Sequence, residues 1–312
     1  MTGMTLVHQA LVYSDEAEFL AAAVPFLRAG LTADDTVLVT APSRRFDLLR
    51  RVLGADADPL VFVDASEWYG NPARTIASYD QFVRAQAPRR VRALAEPDWS
   101  GLAPHEVREW IRYEAAVNAI FGESQGRALC AYNRHTAPDS ALAEARRTHN
   151  ELVEAGGSHA NPGYEEPGRV IAEIDGEPLR LPPSFDSLPI ESADLHDVRG
   201  FVAARAARHG LPEGPSHRLL VAVTELATNA IKHGAPPMAV RMWSADGDLI
   251  CEVADCGYWR PATPLATLGF APPTSAAGGG LGLWGVRMLT DVVQIRAGWD
   301  GTVVRLRTRL SG

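Results

Sequence analysis

Apolar residues change their spacing several times along the chain, and each change marks an element. Short β-branched or apolar runs stand at 10–13, 36–40 (T-V-L-V-T), 60–63 and 128–132, bounded by turn residues. Their length and composition predict buried strands. Helical spacing takes over between them. Ser14, Asp15 and Glu16 supply an N-cap and acidic first turn for a helix through Phe19, Leu20, Ala23, Phe26 and Leu27 that stops at Gly30. A second helix follows Ala41-Pro42-Ser43 through Phe46, Leu49 and Val52 to Gly54, and two more are predicted around 75–90 and 105–121. This alternation predicts an α/β domain with a mainly parallel sheet, closed by a last strand at 169–174.

Prolines 162, 167, 178, 182, 183 and 189 then interrupt the pattern. Each fixes its own φ and restricts the residue before it, so this stretch reads as an extended connector. The reading gives a first domain at 1–170, a Pro-rich linker at 171–190 and a second domain at 191–312. In the second, a helix at 195–209 carries Val198, Phe201, Val202 and Ala206 on one face. Residues 219–234 read L-L-V-A-V-T-E-L-A-T-N-A-I-K-H-G. On a helix, Leu219, Val223, Leu226 and Ala230 share one face while Glu225, Asn229 and Lys232 share another. Glu225 and Asn229, at i and i+4, stand one above the other. Runs at 238–243 and 248–253 flank Ala245-Asp246-Gly247, and runs at 292–297 and 302–308 flank Trp299-Asp300-Gly301, so both pairs read as hairpins. A helix at 284–289 lies between them. The expectation is an α/β sandwich with helices on one face of a mixed sheet.

With 312 residues the chain has length for two cores, and a net charge of −8 gives no global field that recruits nucleic acid or an anionic membrane. No apolar run approaches the roughly 18 residues of a membrane span. The first residues lack a basic segment followed by an apolar core, which argues against a signal peptide. Cys130, Cys251 and Cys256 are odd in number and show no Cys-x-x-Cys spacing. Reduced, buried thiols in the cytoplasm are expected, rather than a disulfide frame or zinc site. His8, His135 and His149 show no metal-ligand spacing either and read as structural.

In a parallel sheet, ligands sit beyond the carboxyl ends of strands, which selects residues 40–45, 64–69 and 132–135 as pocket rims. The loop A-P-S-R-R-F lacks the glycines and lysine of a nucleotide-cradling P-loop. Trp68, Tyr69, Trp99 and Trp110 read as core aromatics. No nucleophile–base pair stands out, so the first domain reads as a binding platform. Its segments H-Q-A-L-V-Y, G-L-T-A-D-D-T-V-L-V-T, V-F-V-D-A-S-E-W-Y, R-Y-E-A-A-V-N, L-C-A-Y-N and T-H-N-E-L-V-E resemble the MEDS family of bacterial sensory domains. The resemblance implies signal sensing, with the ligand unspecified.

Three signals recur in order in the second domain. The first is the Glu225–Asn229 stripe. The second is Asp255-Cys256-Gly257 at a strand end, where a carboxylate can accept from an amino group and glycine lets the backbone approach a flat ring. The third is the glycine run 278–282, G-G-G-L-G, entering a helix; N–H groups there point outward and the macrodipole favours phosphate. Together they resemble the ATP-binding domain of the GHKL superfamily, and T-E-L-A-T-N-A-I-K-H-G is most similar to its anti-sigma-factor (RsbW-like) branch. The resemblance implies ATP and Mg²⁺ as cofactors. Glu225 would polarise the attacking hydroxyl or water, and Asn229 would hold Mg²⁺. Asp255 would read the adenine amino group with Gly257 beside the ring, and Gly280, Leu281 and Gly282 would wrap the phosphates. From their positions in the chain alone, Lys232 and Arg287 would add positive charge near them. The family's second glycine after the aspartate falls at 259, where this chain has Trp259.

The function implied is a serine/threonine protein kinase of anti-sigma type. Its partners would be an anti-anti-sigma (STAS) protein and a sigma factor, and pairing through the ATP domain would make a homodimer. Two other readings stand beside it. One is a switch whose binding partner changes with ATP or a sensed ligand and which moves no phosphate. The other is a histidine autokinase, for which His196 and His105 are the nearby acceptors, although no separate helical hairpin precedes the ATP domain.

Overall fold

The computed structural model describes residues 6–191, 195–259, 267–270 and 282–310. By its internal contacts the chain divides into two units, Met1–Ile171 and Ala172–Gly312.

The first unit runs β1 (Val7–Tyr13), α1 (Glu16–Thr32), β2 (Thr36–Ala41), α2 (Arg44–Leu53), β3 (Val61–Asp64), α3 (Ala65–Trp68), α4 (Pro72–Gln86), β4 (Val91–Ala95), α5 (Pro104–Ile120), β5 (Arg127–Asn133), α6 (Asp139–Thr148), β6 (Glu151–Glu154) and β7 (Gly157–Ala160). The sheet order is β3-β2-β4-β5-β1-β6-β7, parallel except for β7 against β6. Asp15 caps α1 by accepting from the Glu18 N–H, as its sequence predicts. The apolar pattern gives no sign of β4, because Arg92 interrupts V-R-A-L-A. In the fold that arginine is buried, 3.0 Å from Asp35, with its guanidinium over the Phe26 ring.

Alternation along these strands separates two unlike faces. Leu11, Tyr13, Val37, Val39, Leu94, Leu129 and Ala131 pack with Phe19, Leu27 and Leu49 of α1 and α2. Their neighbours in sequence, Ala93, Ala95, Ala128 and Cys130, face the other way and are small. The second face is therefore less well filled.

The segment 169–174, read above as a strand, is helical within α7 (Pro167–Gly176). Pro167 leads it, and Val170, Ile171 and Ile174 recur at i, i+1 and i+4, a helical spacing too short to separate from a strand by eye. The second unit continues with β8 (Asp186–Pro189), α8 (His196–Arg208), α9 (Glu213–His233), β9 (Ala239–Ala245), β10 (Asp248–Asp255), α10 (Gly282–Leu289), β11 (Val292–Gly298) and β12 (Gly301–Arg309). Its order is β11-β12-β10-β9-β8. Every described pairing is antiparallel, which corrects the mixed sheet expected above. The two hairpins fix the direction of β10 against β9 and of β12 against β11, since a parallel neighbour needs a long crossover. At the β9–β10 turn Asp246 and Gly247 both have positive φ, 54° and 83°, as a type I′ turn requires.

One face of this sheet is closed by α8, α9 and α10. Leu219, Val223, Leu226 and Ala230 of α9 enter a core with Leu249, Cys251 and Val253 of β10 and Val304 and Leu306 of β12. Each buried Leu or Val contributes about 1.5–3 kcal/mol. On the opposite face Glu252 is buried between two arginines, Arg305 at 2.7 Å and Arg241 at 2.9 Å. Arg305 also donates to the carbonyls of Leu179 and Arg180, and Arg296 donates to those of Ile174 and Glu177. Much of the Pro-rich stretch is thus tied to this sheet, and its last residues form the edge strand β8, paired with β9.

Candidate functional site

The polar stripe of α9 lies beside the start of α10. Glu225 and Asn229 are half-buried, and Lys232 is exposed in the last turn. The backbone N–H of Gly282 donates to Glu225 Oε1 at 3.1 Å, across 57 residues of sequence. A carboxylate at a helix N-terminus is favoured by the macrodipole, and this bond sets the carboxylate's direction. Gly282 has φ 56°, the left-handed region that suits glycine, and a Cβ there would meet nothing within 4 Å. Gly280 and Leu281, with the rest of the glycine run, lie outside the described residues.

Asp255 stands at the end of β10, and its Oδ1 accepts from the Gly257 N–H at 2.7 Å. That bond fixes the carboxylate and leaves Oδ2 as an acceptor for an amino group. Two close approaches hold this corner to the end of α9. A Cβ at Gly234 would come 2.6 Å from the Asp255 carboxyl carbon, and one at Gly257 would come 2.8 Å from the backbone of Gly234 and Ala235. The Cys256 N–H donates to the Ala235 carbonyl at 2.8 Å. Glycine at 234 and 257 is therefore required by contact between backbones and with the aspartate. Were Asp255 the adenine acceptor that the family resemblance implies, replacing it by alanine would weaken ATP binding by about 10- to 150-fold, the cost of one hydrogen bond to a charged group. Calorimetric titration with Mg–ATP measures it, and unchanged affinity would remove Asp255 from the site.

Trp259 packs, partly buried, against the core of this unit. The next aromatic, Tyr258, is 52% exposed and stacks on Trp299, with ring centroids 4.6 Å apart. Arg287 is buried: it donates to the Leu268 and Val293 carbonyls and its guanidinium covers the Phe270 ring at 4.5 Å. It thus clamps 267–270 to β11.

In the first unit one cavity lies away from the carboxyl ends of the strands. It measures about 360 Å³ and sits over the small-residue face of β4 and β5, under α4 and α5. Of the rims selected from the sequence, only Tyr69 lines it, together with Tyr79, Tyr113, Val117 and Phe121. At the rim around residues 40–45, Arg45 is instead buried against Glu96 at 3.0 Å. Trp99 and Trp110 are core, as read. Burial pushes the Tyr69 and Tyr113 phenols well above their usual range, with neighbouring Tyr79 adding to it. They therefore enter the cavity as neutral hydrogen-bonding groups. His8, Glu114 and Cys130 also line it. His8 and His149, distant in sequence, lie with ring centroids 3.9 Å apart and planes tilted by 36°.

Comparison with known proteins follows the same division. Residues 7–150 match the MEthanogen/methylotroph, DcmR Sensory domain, MEDS. Residues 188–308 match the histidine kinase-like ATPase domain HATPase_c_2. No curated protein gives a significant match. Among solved structures, the chain is similar to the RsbU and RsbW domains of Rv1364c from Mycobacterium tuberculosis, at 21% identity and TM-score 0.30, over 42% of this chain and 33% of that one. It is also similar to the Acinetobacter baumannii histidine kinase AdeS (17%, TM-score 0.27, 46% of this chain and 75% of that one). A third is the mycobacterial sensor histidine kinase MprB (20%, TM-score 0.27, 40% and 97%). The chain thus joins a MEDS sensory domain to a histidine kinase-like ATPase domain.

Proposed function

We propose that the protein is a signal-responsive, ATP-dependent serine/threonine kinase of the anti-sigma-factor type, acting on a small anti-anti-sigma (STAS) protein and sequestering a sigma factor. The observation that carries this reading is the Glu225–Gly282 hydrogen bond, which joins the acidic stripe of α9 to the turn entering α10. Asp255, at the end of β10, would serve as the adenine acceptor, and the α10 terminus would face the phosphates.

Asn229 is half-buried on the same stripe, and its carboxamide oxygen suits a hard dication, so it would hold Mg²⁺. Bound there, the ion would neutralise charge on the phosphates. Glu225 would take the proton of the partner's serine or threonine hydroxyl as that oxygen bonds to the γ-phosphorus. The bond to the β–γ bridging oxygen breaks and ADP leaves with the electron pair. Lys232, exposed at the end of α9, would stabilise the phosphates. The test is transfer of label from γ-labelled ATP to a STAS protein, preceded by calorimetric titration with Mg–ATP. Absence of heat at high concentration would overturn the nucleotide reading.

Trp259 supports a second reading. It occupies the position of the family's second glycine with a large side chain packed on the core, which favours ATP binding that changes partner choice and moves no phosphate. Tight Mg–ATP binding with no labelled STAS protein would select it.

A further inference from the structure

We propose that His8, Glu114, Cys130 and His149 bind a divalent transition-metal ion, zinc in the first instance, in the sensory domain. The four side chains come from β1, α5, β5 and the residue that ends α6, and all four are buried. One ligand atom from each lies within 4.8 Å of every other. The measured edges are 3.3 Å from His8 Nε2 to Cys130 Sγ, 3.4 Å from His8 Nε2 to Glu114 Oε2, 3.5 Å from His149 Nε2 to Glu114 Oε2 and 3.8 Å from Cys130 Sγ to Glu114 Oε2. A tetrahedron built on zinc bonds of about 2.0–2.3 Å has edges of about 3.3–3.6 Å, so the atoms already stand near ligand spacing.

The surrounding hydrogen bonds aim the lone pairs inward. Asn118 uses its Nδ2 to donate to the Glu114 and Thr148 carbonyls, so its Oδ1 is the acceptor facing His8 Nδ1 at 3.1 Å. His8 therefore carries its proton on Nδ1 and presents a bare Nε2. His149 Nδ1 lies 2.9 Å from the Ala145 carbonyl, which can only accept, so His149 is protonated on the same atom. Its Nε2 is buried and has no hydrogen-bond partner among the described residues. A buried acceptor left bare costs about 1–3 kcal/mol, and a metal ion satisfies it. The buried Glu114 carboxylate has no arginine or lysine partner among the described residues, so a dication would also compensate its charge. Both histidines thus have the outer hydrogen bond that holds metal-bound imidazoles in place.

The donor set of two imidazoles, a thiolate and a carboxylate suits zinc and related ions. On coordination Cys130 would release its thiol proton to solvent. Since His8, Glu114 and Cys130 also line the 360 Å³ cavity, the metal would form part of its wall. A small molecule entering the cavity could then meet it.

The test uses the full chain in a Cys256→Ser background, stripped with chelator and free of nucleotide. Titration with Zn²⁺ should give one site per chain, and Co²⁺ should give a thiolate-to-cobalt charge-transfer band with intense tetrahedral d–d bands. His149→Ala should weaken Zn²⁺ binding by at least ~100-fold, and Asn118→Ala, which removes the acceptor for His8 Nδ1 and two backbone ties beside the cluster, by about 10- to 100-fold. Cys130→Ser should abolish the charge-transfer band. No bound zinc in the parent chain, or binding unchanged in His149→Ala, would overturn the proposal. Should the variants fail to fold, the cobalt spectrum of the parent decides alone, and absence of the charge-transfer band overturns it.

Discussion

Replacing Glu225 by glutamine should lower phosphotransfer by about 10²- to 10⁴-fold, the range for removing a general base, while Mg–ATP affinity stays within a few-fold. Glutamine keeps an oxygen to accept from the Gly282 N–H, so the link between α9 and α10 survives and only the basicity is lost. Alanine removes both and should be as inactive, with an additional loosening of the turn. Single-turnover transfer of labelled γ-phosphate, beside a calorimetric titration, separates the two effects. A glutamine variant as fast as the parent would rule out Glu225 as the base. A parent chain that binds Mg–ATP but labels no STAS protein would point instead to the switch.

Glu252→Ala should destabilise the second unit by roughly 3–5 kcal/mol, because it strands two arginines rather than one. Arg305 is buried and bonded to Glu252 through both Nε and Nη2, at 3.0 and 2.7 Å, and Arg241 adds a third contact at 2.9 Å. The same Arg305 holds the carbonyls of Leu179 and Arg180, so its release should also free that segment from the sheet. Urea unfolding of the full chain measures the first effect. Amide exchange along β10 and protease cleavage near residue 180 measure the second. A loss below about 1 kcal/mol would mean that water replaces the carboxylate at little cost.

How much of this could be read in the chain depends on whether the responsible contacts are local. The α9 helix, its buried face and its polar stripe followed from residue spacing, because a helix fixes its faces within one element. The hairpin at Asp246-Gly247 was legible for the same reason: two positive φ angles must fall on residues that tolerate them. The strand β4 was missed because a buried arginine broke its apolar run, and Asp35, which stabilises that arginine, lies 57 residues away. The strand reading of 169–174 failed over six residues, too few to separate a period of 2 from one of 3.6.

The site divides along the same line. The ordered motifs already suggested that Glu225, Asp255 and the glycine turn belong together, while the bond between Glu225 and Gly282 needed the fold. Gly234 was simply the last letter of a motif until the Asp255 carboxylate was seen against it. The cluster of His8, Glu114, Cys130 and His149 had no local signal at all. Its members are separated by 106, 16 and 19 positions in order along the chain. Parallel pairing of β1 with β5 sets Ala10 beside Cys130 and His8 beside Ala128, which puts His8 and Cys130 on one face. The sequence by itself determined the periodic elements and the order of the motifs in the second domain, since each depends on near neighbours. Only tertiary structure decided which face of the sheet is hollow, which buried charges pair and which four distant side chains meet, because strand register and helix packing set those distances.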